Sequence, residues 1–293
     1  SYTPIHVRWD EPPGRDAEFK RKEIGDIGER RWSQEYECEF LSSDAQLIDS
    51  LYLAQLTKEL EGTKPLFNVR DVEFYDNIKP TSSYLVGVDP SSGNGEDFSV
   101  ITVFEYPSLI QVGEYRSNTM STSELYSVLK NLVEYLEDHS ENVFFSIENN
   151  GVGNGLIALY ESDEEPISQA EFVSEVGKDK LGFTTTAKSK MKNCVSLKEL
   201  LEKEHMRIKS LHLLSELKSF VRHKGAYAAQ AGATDDSISA VLVVIRILEE
   251  ISTYEADAYE KLYSAKAEEW DGEEWDGFGD GYDDADEGLP MIF

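Results

Sequence analysis

Tyr84–Asp89, read as YLVGVD, is a short apolar run that ends in one carboxylate and breaks at Pro90. An apolar, β-branched run bounded by turn residues reads as a buried strand. Its terminal Asp89 then stands where the strand leaves the core and a side chain reaches solvent or a ligand. The Gly- and Ser-rich turn DPSSGNGEDFS follows, and then a second strand-like run, SVITVFEY. Two further acidic positions sit at comparable places. Glu148 ends the apolar run VFFSIE ahead of NNGVGNG, and Asp235 and Asp236 open the helix-like SISAVLVVIRIL. Acids at the ends of separate elements, each beside Gly or small residues, predict a site for hard divalent cations.

Working outward, the pattern predicts strands over 84–89, 99–105 and 110–116, then a helix over 121–139 with Ser121 or Thr122 as its cap. A strand over 143–148 and a helix from near Asn154 come next. Three strands, a helix, a strand and a helix match the opening of a ribonuclease H-like fold, an α/β class with a mixed central sheet flanked by helices (the RuvC and integrase type). That fold carries its first acid on strand one and its second on strand four. Beyond it the spacing predicts a weak strand over 171–176, a helix over 187–204 and a short strand over 206–210. An amphipathic helix is then expected through LHLLSELKSFVRHKG to Gly225, and a long apolar helix capped by Thr234. The expected division is 1–80 as the end of a preceding domain plus a connector, 81–255 as the catalytic domain, and 256–293 as an acidic tail. The tail cannot bury enough apolar surface to order itself.

The chain has 293 residues, 40% of them hydrophobic, which suffices for a proper core. It begins at Ser1 without Met, as expected of a fragment or a processed product, and its polar, Pro-rich start is no signal peptide. No apolar run approaches the roughly 18 residues of a membrane span. Cys38 and Cys194 lie far apart, without ligand spacing, and read as free thiols of a reducing cytosol. The net charge of −29 argues against nucleic acid, but its distribution does not. Residues 267–293 hold eleven acids and no Lys or Arg, whereas 171–230 hold twelve Lys/Arg against seven acids. A basic segment beside an acid cluster suits a metal-dependent nuclease, which must attract a phosphate backbone.

Phosphodiester hydrolysis needs an activated water, charge neutralisation at phosphorus and help for the leaving oxygen. Two Mg²⁺ or Mn²⁺ ions about 4 Å apart supply all three. Asp89 is the expected bridge, Glu148 a ligand to one ion, and Asp235 or Asp236 a ligand to the other. Adjacent side chains at a helix start point about 100° apart, so one of that pair aims at the shared metal, and Asp235 is preferred. Asp97 either supports the metals or caps the Gly-rich turn. GVGNG at Gly151 lacks the ending of a phosphate loop, no Walker A motif occurs, and the five histidines show no paired ligand spacing.

VGVDPSSGNGEDFSVITV, FFSIENNGVGNGLI, GFTTTAKSKMKNCVSLKELLE, IKSLHLLSELKSFV and GATDDSISAVLVV, in that order, resemble the nuclease domain of the large terminase subunit of tailed bacteriophages, most of all the T4-like group. The leading segment resembles the stretch that joins the packaging ATPase to the nuclease in that family. The resemblance implies a two-metal endonuclease that cuts concatemeric double-stranded DNA at the start and end of headful packaging, with little sequence specificity. Its catalytic triad falls on Asp89, Glu148 and Asp235. Where many relatives have His before the Asp pair, this chain has Thr234. The implied partners are duplex DNA, an upstream ATPase domain, the portal protein of the procapsid and the small terminase subunit, with no membrane. The implied location is the host cytoplasm. Lys188, Lys190, Lys192, Lys218, Arg222 and Lys224 are the expected backbone contacts, which position a duplex without reading it. The competing readings are a Holliday-junction resolvase of the same fold and a non-catalytic docking module for DNA or the portal. A sugar kinase or actin-like ATPase would need a second phosphate loop.

Overall fold

The structure is a computed structural model that describes residues 9–27, 32, 36, 46–165, 167, 169–223 and 225–270. In chain order its elements are α1 (Ala17–Ile27), α2 (Ser50–Glu59), β1 (Phe67–Val69), β2 (Val72–Phe74), β3 (Ser83–Asp89), β4 (Ser99–Tyr106), β5 (Ile110–Ser117) and α3 (Thr122–Glu137). They continue with β6 (Asn142–Ile147), α4 (Val152–Ser162), β7 (Glu171–Phe172), α5 (Ala187–Glu202), α6 (Leu211–Ser219), β8 (Phe220–His223), β9 (Ala226–Ala229) and α7 (Asp236–Trp270). Two compact units are present, Ser1–Ile251 and Ser252–Phe293. The sheet lies in the first.

Seven strands form that sheet in the order β1-β2-β5-β4-β3-β6-β7. β3, β4 and β5 are an antiparallel meander, β6 pairs with β3 in parallel, and β7 pairs with β6 in parallel. This is the ribonuclease H-like arrangement, with β3 an interior strand paired to β4 on one edge and β6 on the other. Successive strand side chains point to opposite faces, and both faces of β3 are buried. Tyr84, Val86 and Val88 enter the core beneath α3 and α4. Leu85 enters the core shared with α2, α5, α6 and α7. Asp89 follows Leu85 and Gly87 by the same period and faces the α7 layer.

Local signals explain most element ends. Ser121 caps α3 in a reciprocal capping box with Glu124, as the sequence predicts. Phe67–Val69 and Val72–Phe74 form a short antiparallel pair at the edge of the sheet. Three expectations are corrected. The helix through Gly225 stops at Ser219, and Phe220–His223 becomes a strand paired with Ala226–Ala229. Phe220 stacks on Tyr227 across that hairpin, with ring centroids 6.0 Å apart, a contact helical periodicity cannot foresee. The segment 206–210 is no strand beyond one bridge from Arg207 to Ile110. Gln111 Oε1 takes the Lys209 and Ser210 amides, and Ser210 caps α6. Thr234 does not cap α7, because Asp235 holds the cap position and the Thr234 hydroxyl donates to Glu216 at 3.0 Å. Among the described residues no helix is long and apolar enough to cross a membrane.

Candidate active site

The register of β3 on β6 brings the first two acids together. Val88 pairs with Ile147, so the next residues, Asp89 and Glu148, stand side by side at the same end of the sheet. The Glu148 amide donates to the Val88 carbonyl at 2.9 Å. Glu148 stands near enough for its charge to raise the Asp89 carboxyl. Glu148 Oε1 also accepts from Asn150 Nδ2 at 3.0 Å, and the same amide group donates to the Thr185 carbonyl. Gly153 is required here: a Cβ on it would stand 1.7 Å from the Glu148 carbonyl oxygen.

The third acidic position arrives on α7. Asp235 Oδ2 pairs with Lys190 Nζ of α5 at 2.7 Å. Asp236 Oδ2 accepts the Phe98 amide at 3.0 Å, which ties α7 to the start of β4. Burial, then the carboxylates of Glu148, Asp236 and Asp235, push the Asp89 carboxyl well above the usual range. Burial also lifts Asp236 to about 6, with Glu216, Asp97 and Asp235 adding to the rise against the Phe98 amide. Asp97 is therefore near enough to Asp236 for its charge to be felt, while its backbone carbonyl accepts the Ser91 hydroxyl. The carboxylates of Glu148, Asp235 and Asp236 thus all bear on Asp89 at the end of β3.

Hard oxygen donors and concentrated negative charge fit a divalent cation such as Mg²⁺ or Mn²⁺ in chemistry and in sign. In distance they form no ready ligand shell: among the described residues no three His, Cys, Asp or Glu side chains converge on one point. Two of the acids are instead engaged by protein groups: Lys190 holds Asp235 and the Phe98 amide holds Asp236.

The basic residues expected to bind DNA divide. Lys190 is engaged with Asp235 rather than free for phosphate. Lys192 pairs with Glu249, about 20 Å along α7 from Asp235 at 1.5 Å per residue. Lys188 is exposed in the first turn of α5, and Arg222 is exposed on β8. Lys218 lines a groove with Thr57, Lys58 and Leu211, between α2 and α6. Lys224 lies outside the described residues, as do Cys38 and the tail beyond Trp270. Cys194 is a buried free thiol pushed up to about 12 by burial. Sequence reasoning missed the supporting polar groups Asn150, Arg116 and Glu216. Of these, only Asn150 carried a signal, its place beside Glu148.

No family model matches the chain. Among solved structures, it is similar to the large terminase nuclease from thermophilic phage G20c with bound magnesium, at 16% identity over 69% of this chain and 97% of that one, with a TM-score of 0.52. The cobalt-bound form of that nuclease gives the same identity, coverage and TM-score of 0.52. The large terminase nuclease domain of Thermus phage P74-26 is also similar, at 16% identity, 66% and 93% coverage and a TM-score of 0.47. At 16% identity the likeness to the two G20c nuclease structures establishes the ribonuclease H-like fold alone.

Proposed function

We propose that this chain is the nuclease part of a large terminase subunit, a metal-dependent endonuclease of a viral DNA-packaging motor. The observation that carries the reading is the parallel register that sets Asp89 beside Glu148 at the ends of adjacent strands, facing the helix that bears Asp235 and Asp236. The fold it shares with a terminase nuclease solved with magnesium supports it.

Asp89, Glu148 and Asp235 or Asp236 would hold the ions, Asp89 as the shared ligand, with Asp97 in support. When bound, a pair of Mg²⁺ or Mn²⁺ ions supplies an activated water and neutralises charge at phosphorus and on the leaving oxygen. The protein's own groups set the geometry. Asn150 orients Glu148, and the Phe98 amide fixes Asp236. Lys190 balances the charge of Asp235. Exposed Lys188 and Arg222 contribute backbone contacts that fix the duplex without reading its sequence. Cutting that ignores sequence suits concatemeric double-stranded DNA trimmed when a capsid is full. Under this reading the chain works with an upstream ATPase domain, the portal and the small terminase subunit in the host cytoplasm.

The test compares supercoiled plasmid, linear duplex and a four-way junction as substrates with Mg²⁺ or Mn²⁺, and with EDTA. Nicking and linearisation of plasmid, cutting of linear duplex without site preference, and loss of both in EDTA are expected. Selective cutting at the junction centre would instead make the chain a resolvase. No cutting of any substrate would leave a docking role.

A further inference from the structure

The first turn of α7 carries two of the clustered acids, and neither side chain caps it. The opening N–H groups of a helix lack partners, and a Ser, Thr, Asp or Asn at the start ordinarily supplies the acceptor. Asp235 occupies the cap position, since its carbonyl accepts the Ser239 amide at 2.8 Å. Its carboxylate, however, is turned to Lys190. The Asp236 carboxylate is turned to the Phe98 amide, and the Thr234 hydroxyl to Glu216.

The missing acceptor comes from α6. Glu216 Oε2 takes the Ile238 amide at 3.1 Å, and Glu216 Oε1 takes the Thr234 hydroxyl at 3.0 Å and Arg116 Nη2 at 3.4 Å. The Glu216 side chain is only 6% exposed. Burying a carboxylate is costly unless its oxygens are satisfied, and here they are satisfied at the head of α7. Arg116 extends the link, because its guanidinium lies 3.2 Å over the ring of Phe98, the residue whose amide holds Asp236.

We propose that Glu216 is a positioning residue of the nuclease site, capping α7 from outside the helix so that Asp235 and Asp236 are free to serve as ligands. The inference rests on reading those two acids as metal ligands. A cap supplied by Asp235 itself would turn its carboxylate back onto its own helix. Separating the two duties lets one turn of helix present adjacent carboxylates, while Glu216, Thr234 and Arg116 hold its backbone still.

The full chain is compared with Glu216→Gln, Glu216→Ala and Glu175→Gln. Glu175 pairs with Arg246 of α7 at 3.0 Å, eleven residues beyond Asp235, and so reports general loosening of that helix. Three quantities are read: amide exchange in the peptide from Thr234 to Leu242, Mn²⁺ affinity by electron paramagnetic resonance, and the unfolding midpoint. Glu216→Ala should speed exchange at the head of α7 by about fivefold or more. It should also weaken Mn²⁺ by about tenfold or more, with Glu216→Gln in between. Glu175→Gln should lower the midpoint and leave the other two readings unchanged. Unaltered exchange, unaltered Mn²⁺ affinity, or equal Mn²⁺ loss in Glu175→Gln would each overturn the inference alone. Wild-type chain that binds no Mn²⁺ would overturn the nuclease reading, and this inference with it.

Discussion

Gly87 of β3 lies directly beneath Ala240 of α7: a Cβ on Gly87 would stand 2.3 Å from the Ala240 carbonyl oxygen and 2.7 Å from Val244 Cγ2. Strand and helix backbones therefore meet with no side chain between them. Asp89 follows Gly87 on the same face, and Asp235 and Asp236 lie about one helical turn before Ala240. One close approach thus sets how near the acids of β3 and α7 can come.

Gly87→Ala should force α7 off the sheet. Overpacking of this kind costs about 1–3 kcal/mol, and Mn²⁺-dependent cutting should fall further than stability alone explains. Gly155→Ala, in an exposed turn of α4 with only Thr122 within reach at 3.9 Å, should be neutral or stabilise by up to about 1 kcal/mol. Urea unfolding of both variants checks this. Equal stabilities would mean that the β3–α7 contact is loose.

Buried Glu114 on β5 gives a pH signature. It accepts the Ser210 hydroxyl at 2.7 Å and the Tyr75 hydroxyl at 3.3 Å, but burial outweighs these bonds and raises it from 4.5 to about 7. The folded state therefore keeps a proton that the unfolded chain gives up near pH 4.5. Its contribution is fully present below that pH and is lost as pH rises through 7. Relative to Glu114→Gln, wild type should lose about 3 kcal/mol over that window. Parallel stability curves for the two proteins between pH 4.5 and 8 would contradict the burial argument.

Much of this was legible in the residues. YLVGVD, SVITVFEY and VFFSIE announce buried strands, and Asp89 and Glu148 close the first and last of these runs. What escaped is non-local. The end of α6 at Ser219 depends on ring stacking between Phe220 and Tyr227 in a hairpin. The cap of α7 depends on Glu216, twenty-two residues before the Ile238 amide it receives. The pairing of Lys190 with Asp235 spans forty-five residues, and a run of lysines reads the same whether it faces phosphate or a carboxylate.

The acidic tail offers a test of charge alone. Residues 267–293 carry eleven acids and no basic residue, so they can compete with DNA for the basic segment 171–230. Deleting 267–293 should tighten duplex binding and speed cutting at low salt. The gain should shrink as salt screens both interactions near and above 0.1 M, where the Debye length is about 10 Å. Gel-shift titrations at several salt concentrations would show this, and identical affinities would remove the tail from the account.

As the shared metal ligand of the proposed nuclease, Asp89 is the side chain that cutting depends on most. Nicking and linearisation of supercoiled plasmid by wild type and Asp89→Asn, with Mn²⁺ and with EDTA, tests it most directly. Wild type should cut only with metal, and Asp89→Asn should lose more than about 100-fold of that rate. The variant should unfold no earlier than wild type, because Asn removes a buried charge that Glu148, Asp236 and Asp235 oppose. Metal-dependent cutting by Asp89→Asn at the wild-type rate would contradict the account.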